Sequence, residues 1–238
     1  MTAEDNSPSG WDDRRTLKSC DPLPLDVQLM LRGREPRSPL EGFGGLRLRT
    51  YRVRLPGIEL SPTGVFKHWL AGFASFWPKG NHFVLCEADL SPGVTAALLL
   101  TMPAGLRVVT GARVLYMDDT SMTLETLTGH MFAGWITFSV FDEEGELVVQ
   151  TQALVRPGDS LYELTFLFGF GQRAEDKFWH AMLKAVAQQF GVSAKVEQED
   201  RAITRSIQWR YFGNIWYNAV IRSFPRYFGR SFEKILNR

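Results

Sequence analysis

Between His82 and Val155 the chain reverses direction too often for a parallel sheet. Strand-like runs occupy 82–88, 96–102, 106–117, 121–127, 132–141 and 147–155. Turn signals separate them: Ser91-Pro-Gly93, Pro103-Ala-Gly105, Asp118-Asp119, Thr128-Gly129 and Glu143-Glu-Gly145. A parallel crossover needs a dozen or more residues, and these gaps are shorter, so the runs must pair as antiparallel hairpins.

The flanking segments add two strands and three helical stretches. Over 46–55, Leu-Arg-Leu-Arg-Thr-Tyr-Arg-Val-Arg-Leu, apolar and basic residues alternate as in a half-buried strand. The phase slips near Thr50, which predicts a bulge or twist there. Ser61-Pro62 then supplies a helix cap followed by proline at the first helical position. Val65, Trp69, Phe73 and Phe76 recur at helical spacing up to Pro78-Lys79-Gly80, with Gly72 softening the middle. After Pro157-Gly158, Asp159 or Ser160 can cap a helix carrying Leu161, Leu164 and Phe168, which Gly169 and Gly171 interrupt. Glu175 and Asp176 favour a second helix start. Phe178, Met182, Ala185, Val186 and Phe190 form its apolar stripe, and Gly191 suits its end. Alternation over 192–197 predicts a last strand.

These patterns divide the chain into three parts. Residues 1–45, rich in Pro, Asp, Arg and Gly, are expected to be flexible or to lie along the surface, apart from a docking turn at 25–31. Residues 46–200 form the domain. Residues 201–238 form a basic, aromatic, helical tail in which the arginines and Lys234 face a single acid, Glu233. Ile207, Tyr211, Ile215 and Ala219 share one helical face, Pro225 breaks it, and 227–237 can make a second short helix.

Composition narrows the function classes. Phe 17 and Trp 7 in 238 residues exceed ordinary usage and call for a ring-packed core or a ring-lined cavity. A net charge of +1 offers no global field for nucleic acid. Cys20 and Cys86 sit far apart, without zinc-ligand spacing, and fit a reduced compartment; Cys86 reads as a small core residue. No apolar run reaches the roughly 18 residues of a membrane span, and the first residues lack the apolar segment of a secretory leader. The cytoplasm, with the membrane periphery as an alternative, is the expected location. Walker, Rossmann, GxSxG and HExxH signatures are missing, so no cofactor and no metal are expected.

The order strand, helix, antiparallel hairpins, long helix resembles the START-like helix-grip (SRPBCC) superfamily, in which a curved sheet grips a C-terminal helix around a cavity. Locally, Ala112-Arg-Val-Leu-Tyr-Met-Asp-Asp119, Thr128-Gly-His-Met-Phe-Ala-Gly-Trp135 and Val149-Gln-Thr-Gln-Ala-Leu-Val-Arg-Pro157 are similar to an uncharacterised family of bacterial and plant proteins. Trp135 stands where that pattern has a glutamate, which removes one carboxylate that could pair with His130. The resemblance implies an α+β helix-grip fold with a ligand cavity and no known reaction.

Three functional readings follow, with binding favoured over catalysis. In the first, Trp69, Phe73, Tyr116, Trp135, Phe138 and Phe178 line a cavity for an apolar small molecule or lipid. In the second, a cyclase, hydratase or hydrolase uses His130 as acid and base, assisted by Asp118 or Glu125; the alternative for His130 is a turn histidine bonded to backbone. In the third, Arg210, Trp216, Arg222, Arg226 and Arg230 contact an anionic membrane or a partner. The tail's rings could instead pack on the sheet while its arginines snorkel to water. Stacking on single-stranded nucleic acid is the least favoured use of the tail. The sequence sets no oligomeric state.

Overall fold

In a computed structural model, which describes residue 27 and residues 31–86, 90–102 and 105–223, the alternating runs pair as one antiparallel sheet. Its strands are β1 (Leu46–Leu55), β2 (His82–Leu85), β3 (Thr95–Thr101), β4 (Arg107–Met117), β5 (Ser121–Thr126), β6 (Phe132–Glu143), β7 (Glu146–Pro157) and β8 (Glu197–Thr204). The spatial order is β2-β3-β4-β5-β6-β7-β1-β8, so β2 to β7 are successive hairpins and β1 pairs at long range with β7. The chain therefore has to cross the whole sheet between β1 and β2. It does so as α1 (Pro62–Ala71) and a 3-10 turn, Phe73–Phe76. The Ser61 hydroxyl accepts the Gly64 N–H and starts α1 as its sequence predicts.

Two helices return over the same face, α2 (Ser160–Leu167) and α3 (Phe170–Gln189), and a short α4 (Ala219–Ser223) follows a 3-10 segment, Trp209–Tyr217. The inner face of the sheet presents Tyr51, Val53, Val114, Met122, Leu124 and Phe138. These pack under Phe66 and Trp69 of α1 and under Trp179, Met182, Leu183 and Val186 of α3. Each such side chain, fully buried, contributes roughly 1.5–3 kcal/mol relative to exposure. The result is the helix-grip arrangement, a curved antiparallel sheet closed around α3.

Several local expectations need correction. No bulge occurs at Thr50: the β1–β7 register runs unbroken from Arg47 to Leu55, and the β1–β8 pairing shifts only between Leu46 and Arg47. The apparent slip is Arg49, which shares the inner face with Tyr51 and is buried against acids of α3. That helix begins at Phe170, because Gly169 takes a left-handed conformation (φ 73°) and forms a corner between α2 and α3. The last strand lies at 197–204 instead of 192–197; it is an exposed edge strand of mostly charged and polar residues, so it carries no hydrophobic signal. Residue 201, expected to open the tail, falls inside it. Cys86 is exposed instead of lying in the core.

The part of the N-terminal segment within the described residues is tied down. Arg37 N–H donates to Thr126 O at 2.8 Å, Thr128 N–H donates to Glu35 O at 2.8 Å, and Phe43 and Gly44 both donate to Pro157 O. Val27 packs on the outer face of the sheet against Ala97, Leu99 and Val109; most of the docking turn expected at 25–31 lies outside the described residues. The second tail helix expected at 227–237, with Arg226 and Arg230, lies outside the described residues.

Candidate functional site

Gly129 turns the chain between β5 and β6 at φ 87°, and His130 follows it into the interior. The imidazole Nδ1 accepts the Phe132 N–H at 3.0 Å, which leaves the ring proton on Nε2. Burial, with Arg34 adding to it, holds the pKa down to about 4. The neighbours expected for it are elsewhere. Asp118 lies at the opposite end of β5, a strand whose six residues span about 20 Å. There it accepts the Thr120 and Ser121 N–H groups and the Tyr116 hydroxyl. Glu125 points to the outer face, accepting from Trp135 Nε1 at 3.0 Å and facing Arg113 at 3.4 Å. The acid–base group of His130, Asp118 and Glu125 is therefore not assembled.

The ring-lined cavity is not formed by its expected residues either. Trp69, Phe73 and Phe138 are fully buried and meet edge to face, with Phe138 at 5.6 Å from Trp69 and 5.0 Å from Phe73. They fill one another's space. Phe178 packs on Trp77 beside them at 5.1 Å. Tyr116 and Trp135 project from the opposite face of the sheet and are 52% and 36% exposed. One anomaly stands in this apolar wall: the indole N–H groups of Trp69 and Trp77 are buried without an acceptor.

What does gather at His130 is a polar cleft, lined by Arg37, Thr128, Gly129, His130, Asp159 and Asn214 among others. Its free volume, about 10 Å³, matches a water molecule. Asp159 Oδ1 caps α2 by accepting the Leu161 and Tyr162 N–H groups. Its Oδ2 accepts Asn218 Nδ2 at 2.7 Å, and Asn218, fully buried, caps α4 through the N–H groups of Val220 and Ile221. Burial raises the Asp159 pKa against these bonds. Asn214 donates to Gly158 O and Glu41 O, and Ala219 N–H donates to Gly129 O. A Cβ at position 129 would stand 2.1 Å from Tyr217 O. The Gly-His turn is thus the seat of the C-terminal segment. The Arg156-Pro157 step seats the N-terminal one, with Arg156 Nη1 donating to Gly44 O. Sequence motifs pointed to this place; Asn214 and Asn218 carried no signal.

Beside the cleft the surface is apolar and cationic. At the α2–α3 corner Leu167, Phe168 and Phe170 are 73%, 66% and 61% exposed. The 3-10 segment, which touches α2, exposes Trp209, Phe212, Trp216 and Tyr217. Phe43 anchors it, its ring 5.5 Å from Trp209 and 6.0 Å from Phe212. Arg201, Arg205, Arg210 and Arg222 are exposed along 201–223, a stretch without an acid. Among the described residues no group of His, Cys, Asp and Glu could hold a metal ion, and no helix is long and apolar enough to cross a membrane.

No family model and no curated protein matches the chain. Solved structures do resemble it. The protein KanY (ms6282) shares 11% identity at a TM-score of 0.46, over 63% of this chain and 99% of the other. Ara h 8.0201 shares 13% at 0.45, over 61% and 97%. The di-domain ARO/CYC StfQ of the steffimycin biosynthetic pathway shares 10% at 0.46, over 62% of this chain and 53% of StfQ. All three scores are below 0.5, so the functional reading rests on this chain's own side chains.

Proposed function

We propose that this protein is a lipid-contacting module of the helix-grip type that docks on a membrane surface. The α2–α3 corner and the 209–223 segment form the docking flank. The observation that carries this reading is the exposure of Leu167, Phe168 and Phe170 at the corner and of Trp209 and Trp216 on the 3-10 segment that touches α2, with four exposed arginines and no acid along 201–223. Large apolar groups gathered on one flank are costly in water and mark an interaction surface. Leu and Phe suit the acyl boundary, while Trp and Tyr suit the headgroup level. Each arginine near an anionic surface adds about 1 kcal/mol, and salt screens that part.

The full chain is expected to co-sediment with phosphatidylcholine vesicles containing phosphatidylglycerol, and less so at high salt. The double variant Phe168→Ser/Phe170→Ser should lose at least tenfold in partitioning, and Arg210→Gln/Trp216→Ser should lose a similar amount. A wild-type chain that stays in the supernatant with anionic vesicles, or variants that pellet equally, would reject the reading.

A second reading, an apolar ligand inside the grip, is favoured by the two unpartnered indole N–H groups of Trp69 and Trp77. Buried donors ordinarily have acceptors, and a lipid-like molecule with one acceptor oxygen would supply it if the rings repacked around it. Native mass spectrometry of the purified chain is expected to show an adduct that denaturation releases. The apo mass alone, with no small molecule released, removes this reading.

A further inference from the structure

The turn that follows residue 31 carries a buried cation with no counter-ion among the described residues. Arg34 is 9% exposed. Its Nη1 donates to Thr128 O at 3.0 Å, and its Nε is buried without an acceptor. Among the described residues no carboxylate makes an ion pair with it. Gly129 links it to the C-terminal segment, since a Cβ there would stand 2.9 Å from Arg34 Nη1 and 2.1 Å from the carbonyl oxygen of Tyr217, the residue beside which Arg222 of α4 lies. Burial, with the like charge of Arg222 adding to it, depresses Arg34 to about 10. Arg222 is exposed and sits with its guanidinium 5.9 Å from the Tyr217 ring centroid.

The other titratable groups nearby do not neutralise this pair. Asp159 lines the adjoining cleft, but its oxygens are taken by Leu161, Tyr162 and Asn218. His130 is held neutral, and the Tyr162 hydroxyl is engaged with the backbone of Val220. Arg37 adds a third guanidinium at the cleft, shared between Thr128 Oγ1 and Glu41. A buried charge is ordinarily paired, and two neighbouring guanidiniums without an acid create a field that favours a multivalent anion. Guanidinium forks match the edges of a tetrahedral oxyanion better than a point charge does.

We propose that Arg34 and Arg222 form a binding site for a phosphate group at the foot of the aromatic flank. The group can come from a lipid headgroup or from free phosphate. The lipid source rests on the membrane reading above, whereas the site itself does not. Exposed Tyr217 adjoins Arg222 and follows exposed Trp216 in the chain, so a headgroup seated between the arginines would leave its acyl chains toward the apolar flank.

The test measures thermal unfolding of the full chain in inorganic phosphate against sodium chloride at matched ionic strength. Phosphate should raise Tm saturably, and Arg222→Gln, which changes an exposed side chain, should weaken the apparent affinity at least tenfold. Arg34→Gln should abolish the response; where that variant fails to fold, Arg222→Gln carries the test. Phosphatidylcholine vesicles with and without phosphatidic acid identify the source. Preference for phosphatidic acid that Arg222→Gln removes and free phosphate competes away assigns the site to a headgroup. A phosphate response without vesicle binding assigns it to a soluble phosphate and rejects the membrane reading alone. Equal responses to phosphate and chloride, or an unchanged response in Arg222→Gln, overturn the site while Phe168→Ser/Phe170→Ser still tests the membrane reading.

Discussion

The Arg49→Ala variant is expected to lose about 3–5 kcal/mol of stability, read as a drop in the urea midpoint. Arg49 stands on β1 with its side chain 1% exposed. It pairs with Glu175 of α3, donates to Asp176 at 2.6 Å, and holds its Nε 3.5 Å from Asp200 of β8. The cluster extends outward: Tyr51 and Gln198 donate to Asp176, and Trp179 Nε1 donates to Glu175. One guanidinium thus joins the gripped helix to two strands. Burial pushes Glu175 toward its neutral form, and Arg49 is the main opposing influence. Truncating the arginine leaves a carboxylate 5% exposed among apolar side chains with no cation. Arg49→Lys should recover only part of the loss, since a point charge cannot reach all three acids at once. The paired change Arg49→Met/Glu175→Met should recover most of it, because replacing both partners removes the desolvation cost as well as the attraction. A single variant within about 1 kcal/mol of wild type, or a pair as unstable as the single, would contradict this account.

That cluster also shows where the sequence stops being legible. The hairpins from β2 to β7 follow from short periods and turn residues, both local, and β1 was legible to its ends for the same reason. Arg49 was not, because two-fold alternation assigns any arginine to the solvent face. Its partner Glu175 lies 126 residues away, where it reads as a charge complementing a helix start. The edge strand β8 was hidden by its composition: pairing there is through backbone and through Arg47–Asp200, not through an apolar stripe.

The candidate site divides in the same way. Gly129-His130 and Arg156-Pro157 marked the right place, since each is a close backbone approach that only particular residues permit. The acid–base reading of His130 does not assemble because residue type says nothing about the far end of a strand, where Asp118 is held. Asp159 was legible as a cap through Oδ1 but not as a clasp through Oδ2, because no spacing links it to Asn218. The ring surplus splits three ways in the structure: Trp69, Phe73 and Phe138 pack the core, Trp135 lies on the outer face, and Phe168, Trp209 and Trp216 form the exposed flank. Composition counts these rings alike, and only tertiary placement separates core from contact surface.

Between about pH 6.5 and pH 4 the wild-type fold is expected to lose about 3 kcal/mol through His130 alone. In the unfolded chain the imidazole takes up its proton as the pH falls through 6.5; in the fold it does so only near 4. Across that window the unfolded state binds more protons, so stability rises with pH and drains away on acidification. Buried acids act in the opposite sense. Asp159 and Glu163, raised by burial, favour the fold as the pH falls, so the total curve mixes both contributions. The difference between wild type and His130→Gln separates them, because a glutamine carbonyl can still accept the Phe132 N–H but takes up no proton. Wild-type stability minus that of the variant should fall toward acid, with a limiting slope of one proton per molecule. Parallel curves for the two proteins would mean that His130 takes up its proton in the fold as readily as in the unfolded chain, and so is available for acid–base work. A difference that falls in this way means that the imidazole stays neutral for as long as the Gly-His turn holds the 209–223 segment in place.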